Sequence, residues 1–210
     1  MIRLGILLSG RGSNLIAIAD AIAAGRLNAE IAVVISNRPY APGIEAAQQR
    51  GLHAHVIQAK GLTREEHDEE IVRALKNHGV ELVVLAGYMR LLTAHFIRAF
   101  PNRIVNIHPS LLPAFPGLDA QKQALDYGVK IAGCTVHFVT EGLDDGPIIL
   151  QKQVPVLEGD TEETLSTRIL EQEHAAYAEA LEMIARGRVA MEGRRVSISE
   201  CDPLTVRHWK

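Results

Sequence analysis

The chain has 210 residues, 47% of them apolar and 4% aromatic, and its formal net charge is −3. This length fits one domain, or one domain with a small appendage, and the aliphatic balance is typical of an α/β protein. The slight negative charge and the lack of a basic block argue against nucleic acid or an anionic membrane surface as the main partner.

The cysteines and the N-terminus indicate a cytoplasmic protein. Cys134 and Cys201 stand far apart without metal-ligand spacing, so we predict reduced thiols and neither a disulfide nor a metal site. The first ten residues carry one basic residue and a short apolar run that ends at Gly10. This pattern predicts a first strand and not a signal peptide or a membrane span.

The first predicted unit is a strand at 2–8, the loop SGRGSN at 9–14 and a helix at 15–24. Its glycines would let backbone N–H groups approach an anion, and the helix N-terminus adds a favourable dipole. The third glycine of a dinucleotide fingerprint is missing, and no G-K-[ST] follows. A tight turn with Ser13 as helix N-cap and no ligand explains the loop equally well.

The next elements are a strand at 30–36, a short helix at 43–51 and a strand at 53–58. Asn37 and Arg38 stand where a dinucleotide site needs an acid, which argues against NAD. His53 and His55 have no third ligand nearby and are interpreted as edge or partly buried residues.

A capping box formed by Thr63 and Glu66 predicts a helix that runs to about Asn77. Arg64, in its acidic first turn, is either a surface residue or an anion contact. A buried strand at 81–86 leads into the loop 87–92, which is unusually apolar and therefore a candidate pocket wall. Thr93 then caps a short helix.

The stretch 103–117 is the centre of the functional argument. Its first five residues predict a strand, and three prolines then exclude a helix. Asn106 and His108 therefore lie at the carboxyl end of a strand, where α/β sheets bind ligands, and point to one side. An amide and an imidazole there suit oxyanion stabilisation in acyl transfer. Satisfying loop backbone groups is the simpler alternative.

The last third predicts a helix at 119–127, an alternating strand at 131–139, a turn-rich loop at 140–147, a strand at 148–157 and a helix from Asp160 and Thr161 to about Ala185. Together these elements predict an α/β fold with a mostly parallel twisted sheet, a Rossmann-like N-terminal half and an antiparallel extension late in the chain. We predict a single domain at 1–186 and a polar tail at 187–210, packed on the domain or trailing from it.

Asp144 is the third candidate catalytic residue. A carboxylate beside an imidazole favours the charged ring, so Asp144 would let His108 act as an acid. A plain turn, or a calcium-like loop that lacks its remaining oxygen ligands, is the alternative. Because no G-x-S-x-G elbow is present, the chemistry that fits is direct attack of one substrate on another.

Several motifs resemble the phosphoribosylglycinamide formyltransferase family. They are, in chain order, SGRGSNL, GYMRLL at 87–92, NIHPSLLPAFPG at 106–117, CTVHFV at 134–139, LDDGP at 143–147 and QEH at 172–174. NIHPSLLP followed by D-x-G is shared by formyltransferases and deformylases, whereas SGRGSNL selects the glycinamide ribonucleotide branch.

The resemblance implies roles for matching residues. Asn106, His108 and Asp144 match the catalytic set, with His108 as proton donor. Other matches are to the ribonucleotide site, at Gly12, Ser13, Asn14 and Glu173, and to contacts of 10-formyltetrahydrofolate, at Arg64, Met89, Arg90, Leu91, Leu92 and Asn106. The loop 140–144 is similar to the wall that binds the pterin. Asp119 and Gln121 depart from the family pattern, so no folate role is assigned to them. Thr135 and His137 also match and are interpreted as supports for Asp144 or for the strand.

We therefore expect formyl transfer from 10-formyltetrahydrofolate to 5′-phosphoribosylglycinamide, a step of purine biosynthesis, with small-molecule substrates, no metal, no nucleic acid and no membrane. Monomer and homodimer both remain open. Hydrolysis of 10-formyltetrahydrofolate is the alternative within the superfamily, although such deformylases carry an additional N-terminal domain. A transfer-RNA formyltransferase would need a further C-terminal domain and a basic surface. A phosphate-binding module without catalysis is the alternative from another class.

Overall fold

A computed structural model describes residues 1–199, so Cys201 and the end of the predicted tail lie outside the described part. The strands are β1 (Ile2–Leu8), β2 (Ala29–Ser36), β3 (Ala54–Val56), β4 (Leu82–Leu85), β5 (Ile104–His108), β6 (Ile131–Phe138), β7 (Ile148–Pro155), β8 (Val189–Glu192) and β9 (Arg195–Ile198). The helices are α1 (Ser13–Ala23), α2 (Pro42–Gln49), α3 (Arg64–Asn77), α4 (Ala94–Ala99), α5 (Ala120–Tyr127) and α6 (Glu162–Ala185).

The main sheet has seven strands in the order β3-β2-β1-β4-β5-β6-β7. Strands β1 to β5 pair in parallel, whereas β6 and β7 are antiparallel to their neighbours. The predicted parallel sheet with a late antiparallel extension is therefore confirmed. Parallel strands need helical crossovers, which cover both faces and leave central strands such as β4 fully buried.

Each face of the sheet carries its own apolar layer. Leu4, Ile6 and Leu8 of β1 pack with apolar residues of α1, α2, α5 and α6, whereas Leu7 packs on the opposite side with α3 and α4. The alternation along β6 follows the same rule, because its Cys134 and Val136 belong to the α6 layer. Thr135 and His137 therefore face away from α6, toward two loops that cover this end of the sheet.

The second half of helix α6 runs from the carboxyl end of β1 to the amino end of β2. At the middle of α6 Glu173 meets Asn14, which follows β1, and near its end Glu182 Oε2 accepts a hydrogen bond of 2.7 Å from the N–H of Asn28, which precedes β2. Between them the buried Tyr177 hydroxyl lies 3.0 Å from the carbonyl oxygens of both Leu85 and Val105. This hydroxyl ties α6 to the neighbouring strands β4 and β5 at the edge where the candidate site residues are found.

After α6, β8 and β9 form a separate two-stranded antiparallel sheet within the region predicted as a polar tail. Met191 and Val196 pack against the main apolar layer, so this hairpin rests on the domain. The proposed division at residue 186 stays a prediction. No helix within residues 1–199 is long and apolar enough to cross a membrane.

Candidate active site

Asn106 and His108 lie at the carboxyl end of β5, as predicted. Their neighbours on the adjacent strand β6 explain their surroundings. In the antiparallel register with β6, Asn106 is directly opposite His137 and His108 is opposite Thr135. Directly opposed residues of an antiparallel pair have neighbouring side chains. The strand pair thus brings one amide, two imidazoles and one hydroxyl to a single surface.

His108 is buried, and both of its ring nitrogens face hydrogen-bond acceptors. Nδ1 lies 3.3 Å from Oδ2 of Asp144, and Nε2 lies 2.9 Å from the carbonyl oxygen of Phe115. A carboxylate and a carbonyl can only accept, so a ring that carries a proton on each nitrogen satisfies both contacts. The predicted approach of Asp144 to His108 is present in the structure.

Asn106 is held by His137. Nδ1 of His137 donates to the carbonyl oxygen of Phe138 at 2.8 Å, and Nε2 lies 3.3 Å from Nδ2 of Asn106. Burial lowers the pKa of His137, against smaller opposing effects of the Phe138 hydrogen bond and the Asp144 charge. The neutral ring therefore accepts one carboxamide proton from Asn106 and leaves the other for a ligand.

Asp144 sits in the loop between β6 and β7, in a conformation that suits its residue type. Its φ is +49°, in the left-handed region that Asp and Asn tolerate better than most residues. Oδ2 accepts a hydrogen bond of 2.8 Å from the N–H of Gly117, and Oδ1 lies 3.8 Å from Nε2 of His137. The carboxylate thus joins the loop 109–117 to the strand pair β5 and β6.

Gly146 fixes where this loop folds back on β6. A Cβ at this position would lie 1.8 Å from the carbonyl oxygen of Phe138, a distance that no side chain permits. Only glycine allows this approach, and the resulting turn returns Asp144 to the strand pair.

Thr135 holds the proline-rich loop. Its hydroxyl donates to the carbonyl oxygen of Ser110 at 2.7 Å and accepts from the N–H of Leu112 at 3.0 Å and from Nε2 of Gln151 at 2.9 Å. One donor and two lone pairs are all used, so this buried hydroxyl is fully satisfied. Thr135 therefore supports the loop behind His108, and His137 supports Asn106. Both were predicted only as supports for Asp144 or for the strand.

The loop 9–14 leaves the first N–H groups of α1 open. Its N-cap is Gly12, with φ of +78° and ψ of 22°, and no side chain caps the helix. The alternative in which Ser13 is the N-cap is wrong, because the left-handed turn at Gly12 makes Ser13 the first helical residue. The first turn also contains no acid. Uncapped N–H groups at the positive end of a helix dipole form a site for an anion.

Asn14 and Glu173 meet beside this helix start, although 159 residues separate them in sequence. Nδ2 of Asn14 donates to Oε2 of Glu173 at 2.9 Å. Both residues are buried, and Oδ1 of Asn14 has no hydrogen-bond partner in the described part of the chain, residues 1–199. Burial raises the pKa of Glu173, partly offset by the Asn14 hydrogen bond.

The loop 87–92 lies on the other side of the site and exposes apolar side chains. Met89 is 61% and Leu91 57% exposed, while Leu92 packs on the α3 layer. The N–H of Met89 donates to the Ser9 hydroxyl at 2.8 Å, which ties this loop to the end of β1. Leu118 and Leu143, at 76% and 54%, add exposed apolar surface near Asp144.

Arg64 and the start of α5 stand at the margin of the site. Arg64 is the first residue of α3 and is exposed. Asp68 follows one turn later, and its carboxylate accepts a hydrogen bond from the N–H of Thr93, the residue after Leu92. Asp119 is the N-cap of α5 with φ of +56° and makes no side-chain cap bond. Neither Asp119 nor Gln121 gains a role from these contacts. Within residues 1–199, no group of three or more His, Cys, Asp or Glu side chains is arranged to hold a metal ion.

Comparison with known proteins agrees with this geometry. Residues 2–181 match the family described as formyl transferase. The chain belongs to this family. The crystal structure of glycinamide ribonucleotide transformylase 1 from Symbiobacterium toebii has a TM-score of 0.93 and 57% identity, over 94% of each chain.

Two curated relatives differ in length. Phosphoribosylglycinamide formyltransferase of Escherichia coli is 43% identical over 187 residues, which are 89% of this chain and 88% of that protein. Trifunctional purine biosynthetic protein adenosine-3 of Drosophila pseudoobscura pseudoobscura is 50% identical over 198 residues, which are 93% of this chain but only 14% of that protein. The chain thus spans a small part of the second relative and most of the first.

Proposed function

We propose that the protein transfers the formyl group of 10-formyltetrahydrofolate to the amine of 5′-phosphoribosylglycinamide. The observation that carries this proposal is the convergence of Asn106, His108 and Asp144, with His137 behind them, between an anion-binding loop and an apolar loop. The products are formylglycinamide ribonucleotide and tetrahydrofolate. This is a step in purine biosynthesis.

The ribonucleotide would bind along the loop 9–14 and α6. Backbone N–H groups at Gly12, Ser13 and Asn14 suit the phosphate, because they lie at an uncapped helix start without a nearby acid in that turn. Glu173 would accept hydrogen bonds from ribose hydroxyls. This arrangement directs the glycinamide amine toward β5.

The folate would bind between the loop 87–92 and the loop 140–144. The exposed side chains of Met89 and Leu91 suit the flat face of a pterin, and Arg64 offers a cation for the acidic end of the substrate. Backbone groups of Arg90 and Leu92 are available for the polar edge of the ring. No resident cofactor beyond this co-substrate is proposed, and the expectation that no metal is needed stays a prediction.

Catalysis would begin with attack of the substrate amine on the formyl carbon, which forms a C–N bond and places a negative charge on the formyl oxygen. The free carboxamide proton of Asn106 and protonated His108 stabilise this oxyanion. Because Nε2 of His108 contacts Phe115 O in the resting structure, its proton must exchange that acceptor for the substrate. The bond to N10 of the folate then breaks, N10 gains a proton, and the attacking nitrogen loses one.

An assay with purified protein separates the candidate reactions. We expect loss of formyl groups from 10-formyltetrahydrofolate to require 5′-phosphoribosylglycinamide and to yield one formylated ribonucleotide per folate released. Equal rates with and without the ribonucleotide would instead identify a hydrolase. Binding of both compounds without turnover would identify a non-catalytic binding module.

A substitution at Glu173 tests the ribonucleotide site through both stability and activity. Because burial raises the folded-state pKa of Glu173, its contribution to stability is largest below its unfolded pKa and is lost as the pH rises through the folded value. At neutral pH Glu173→Gln is therefore expected to raise Tm by about 2–4 °C. This gain should disappear near about pH 3, where the Glu173 carboxyl is protonated in both the folded and the unfolded protein.

The same variant should raise KM for the ribonucleotide about tenfold, since an amide accepts fewer hydrogen bonds than a carboxylate. Thermal unfolding at both pH values and steady-state kinetics provide the measurements. Glu171→Gln, at an exposed position of the same helix, is the matched control and should change neither quantity. An unchanged ribonucleotide KM in Glu173→Gln would remove Glu173 from the proposed site.

Monomer or homodimer, and a cytoplasmic location, remain predictions from composition and family. Nucleic acid is not proposed as a partner. Size-exclusion chromatography with light scattering would determine the oligomeric state.

A further inference from the structure

A group of buried polar atoms behind the loop 87–92 has no hydrogen-bond partner among the residues that the structure describes. The atoms are Nδ1 of His67, Oδ1 of Asp68, the hydroxyl of Tyr88 and Nε of Arg90. They make up four of the six such side-chain atoms identified within residues 1–199. Buried polar atoms without partners are rare because each costs free energy, so four from adjacent elements require an explanation.

The four residues are close enough to influence one another. Nδ1 of His67 and Oδ1 of Asp68 are 3.9 Å apart. Burial raises the pKa of Tyr88; the charge of Asp68 raises it further, whereas the charge of Arg90 lowers it. Two residues from the start of α3 thus lie near two from the loop after β4.

The remaining hydrogen bonds determine which of these atoms donate and which accept. Nε2 of His67 lies 2.8 Å from the carbonyl oxygen of Ile57 and must donate to it, which in the tautomer with a single ring proton leaves Nδ1 as an acceptor. Oδ2 of Asp68 already accepts from the N–H of Thr93 at 2.7 Å, so Oδ1 is a second acceptor. The Tyr88 hydroxyl and the Arg90 Nε–H are donors.

Two acceptors and two donors are what one water molecule needs. A water oxygen about 2.8 Å from both Nδ1 and Oδ1 fits their separation, and it can accept two further bonds. The two acceptors cannot bond to each other. Because these atoms are shielded from solvent, a substrate in the site does not reach them, whereas an enclosed water does.

We propose that an ordered, buried water bridges Asp68, His67, Tyr88 and Arg90 and holds the loop 87–92 in place, with Asp68 and Tyr88 as positioning residues for the folate side of the site. The expected effect on folate binding rests on the proposed function, whereas the presence of the water does not. The Thr93 bond anchors Asp68 at the end of the same loop, so the network would fix both ends of the folate wall.

Tyr88→Phe tests the proposal because it removes only the hydroxyl. If that hydroxyl had no partner, its removal would leave stability unchanged or increase it. With a bridging water we expect Tm to fall by about 1–4 °C. We also expect KM for 10-formyltetrahydrofolate to rise roughly 3- to 10-fold, the equivalent of one net hydrogen bond, with KM for the ribonucleotide unchanged.

Tyr127→Phe makes the same chemical change at a tyrosine that is 79% exposed and should leave all three quantities unchanged. Asp68→Asn, which keeps an acceptor for Thr93 but loses the charge, should raise the folate KM in the same direction. A Tyr88→Phe protein as stable as the parent, with an unchanged folate KM, would overturn the proposal. So would a high-resolution crystal structure in which the four atoms contact no common water.

The proposed function and this inference can be refuted independently of each other. Ribonucleotide-independent turnover by the parent protein would refute the transferase reaction, whereas the Tyr88→Phe stability and the crystal structure would still decide whether the water is present.

Discussion

Replacing His108 by alanine is expected to lower kcat by about 100- to 10,000-fold, with KM for both substrates changed by no more than a few fold. The buried imidazole is the group that would donate a proton to the oxyanion, and its Nδ1 lies 3.3 Å from the Asp144 carboxylate, which favours the charged ring over the neutral one. Because the interaction forms as charge develops on the formyl oxygen, its loss acts on turnover more than on binding. Steady-state kinetics with each substrate varied in turn provides the measurement.

The alanine variant also loses the bond from Nε2 to the Phe115 carbonyl oxygen, so its fold must be checked by thermal unfolding. His55→Ala is the matched control, since His55 is exposed on β3, the strand at the far edge of the sheet. It should retain full activity. Near-normal turnover by a folded His108→Ala protein would exclude His108 from the chemistry.

The second large effect is expected for Asp144→Asn, which should reduce kcat at least about 100-fold. Asparagine tolerates the left-handed backbone at this position, so the loop should keep its shape. The amide oxygen can still accept from the N–H of Gly117, but a neutral side chain no longer stabilises a charged His108. Kinetics and circular dichroism together would separate lost charge from lost structure.

Asp145→Asn provides the control for charge in the same loop. Asp145 is exposed and accepts from the Thr140 hydroxyl, a bond that the asparagine oxygen can keep. The Asp145→Asn substitution removes one negative charge next to Asp144 and does not alter a contact of His108, so we expect less than about a threefold change in kcat. If both variants lost activity equally, the loop charge as a whole, and not the carboxylate on His108, would explain the effect.

Local patterns were sufficient to predict several elements. Thr63 and Glu66 form the capping box that begins α3, and Thr93 caps α4 by accepting from the N–H of Phe96. These features depend on residues three apart in the chain, so they can be recognised without the fold. The alternation predicted for 131–139 is likewise local, and in the structure it places Cys134 and Val136 toward α6 and Thr135 and His137 on the other face.

The residues that hold the site residues in place do so through strand pairing and hydrogen bonds between distant segments, and these contacts were not predictable in detail. His137 holds Asn106 only because the register of β5 and β6 places them opposite each other. The Thr135 hydroxyl on β6 forms hydrogen bonds with Gln151 on β7 and with the loop after β5. No short sequence motif joins these three segments. The Ser13 cap was wrong for a related reason, because the backbone angle at Gly12 decided where α1 begins.

The direction of α6 has a consequence for how this domain can be joined to others. Ile2 donates its N–H to the Asn28 carbonyl oxygen at 3.4 Å, and Asn28 in turn bonds Glu182 near the end of α6. The start of β1 and the end of α6 therefore share the rim of the sheet remote from Asn106 and His108. Additional polypeptide attached ahead of Ile2 would leave from the back of the domain, so a tandem enzyme can carry this unit without obstructing entry of its substrates.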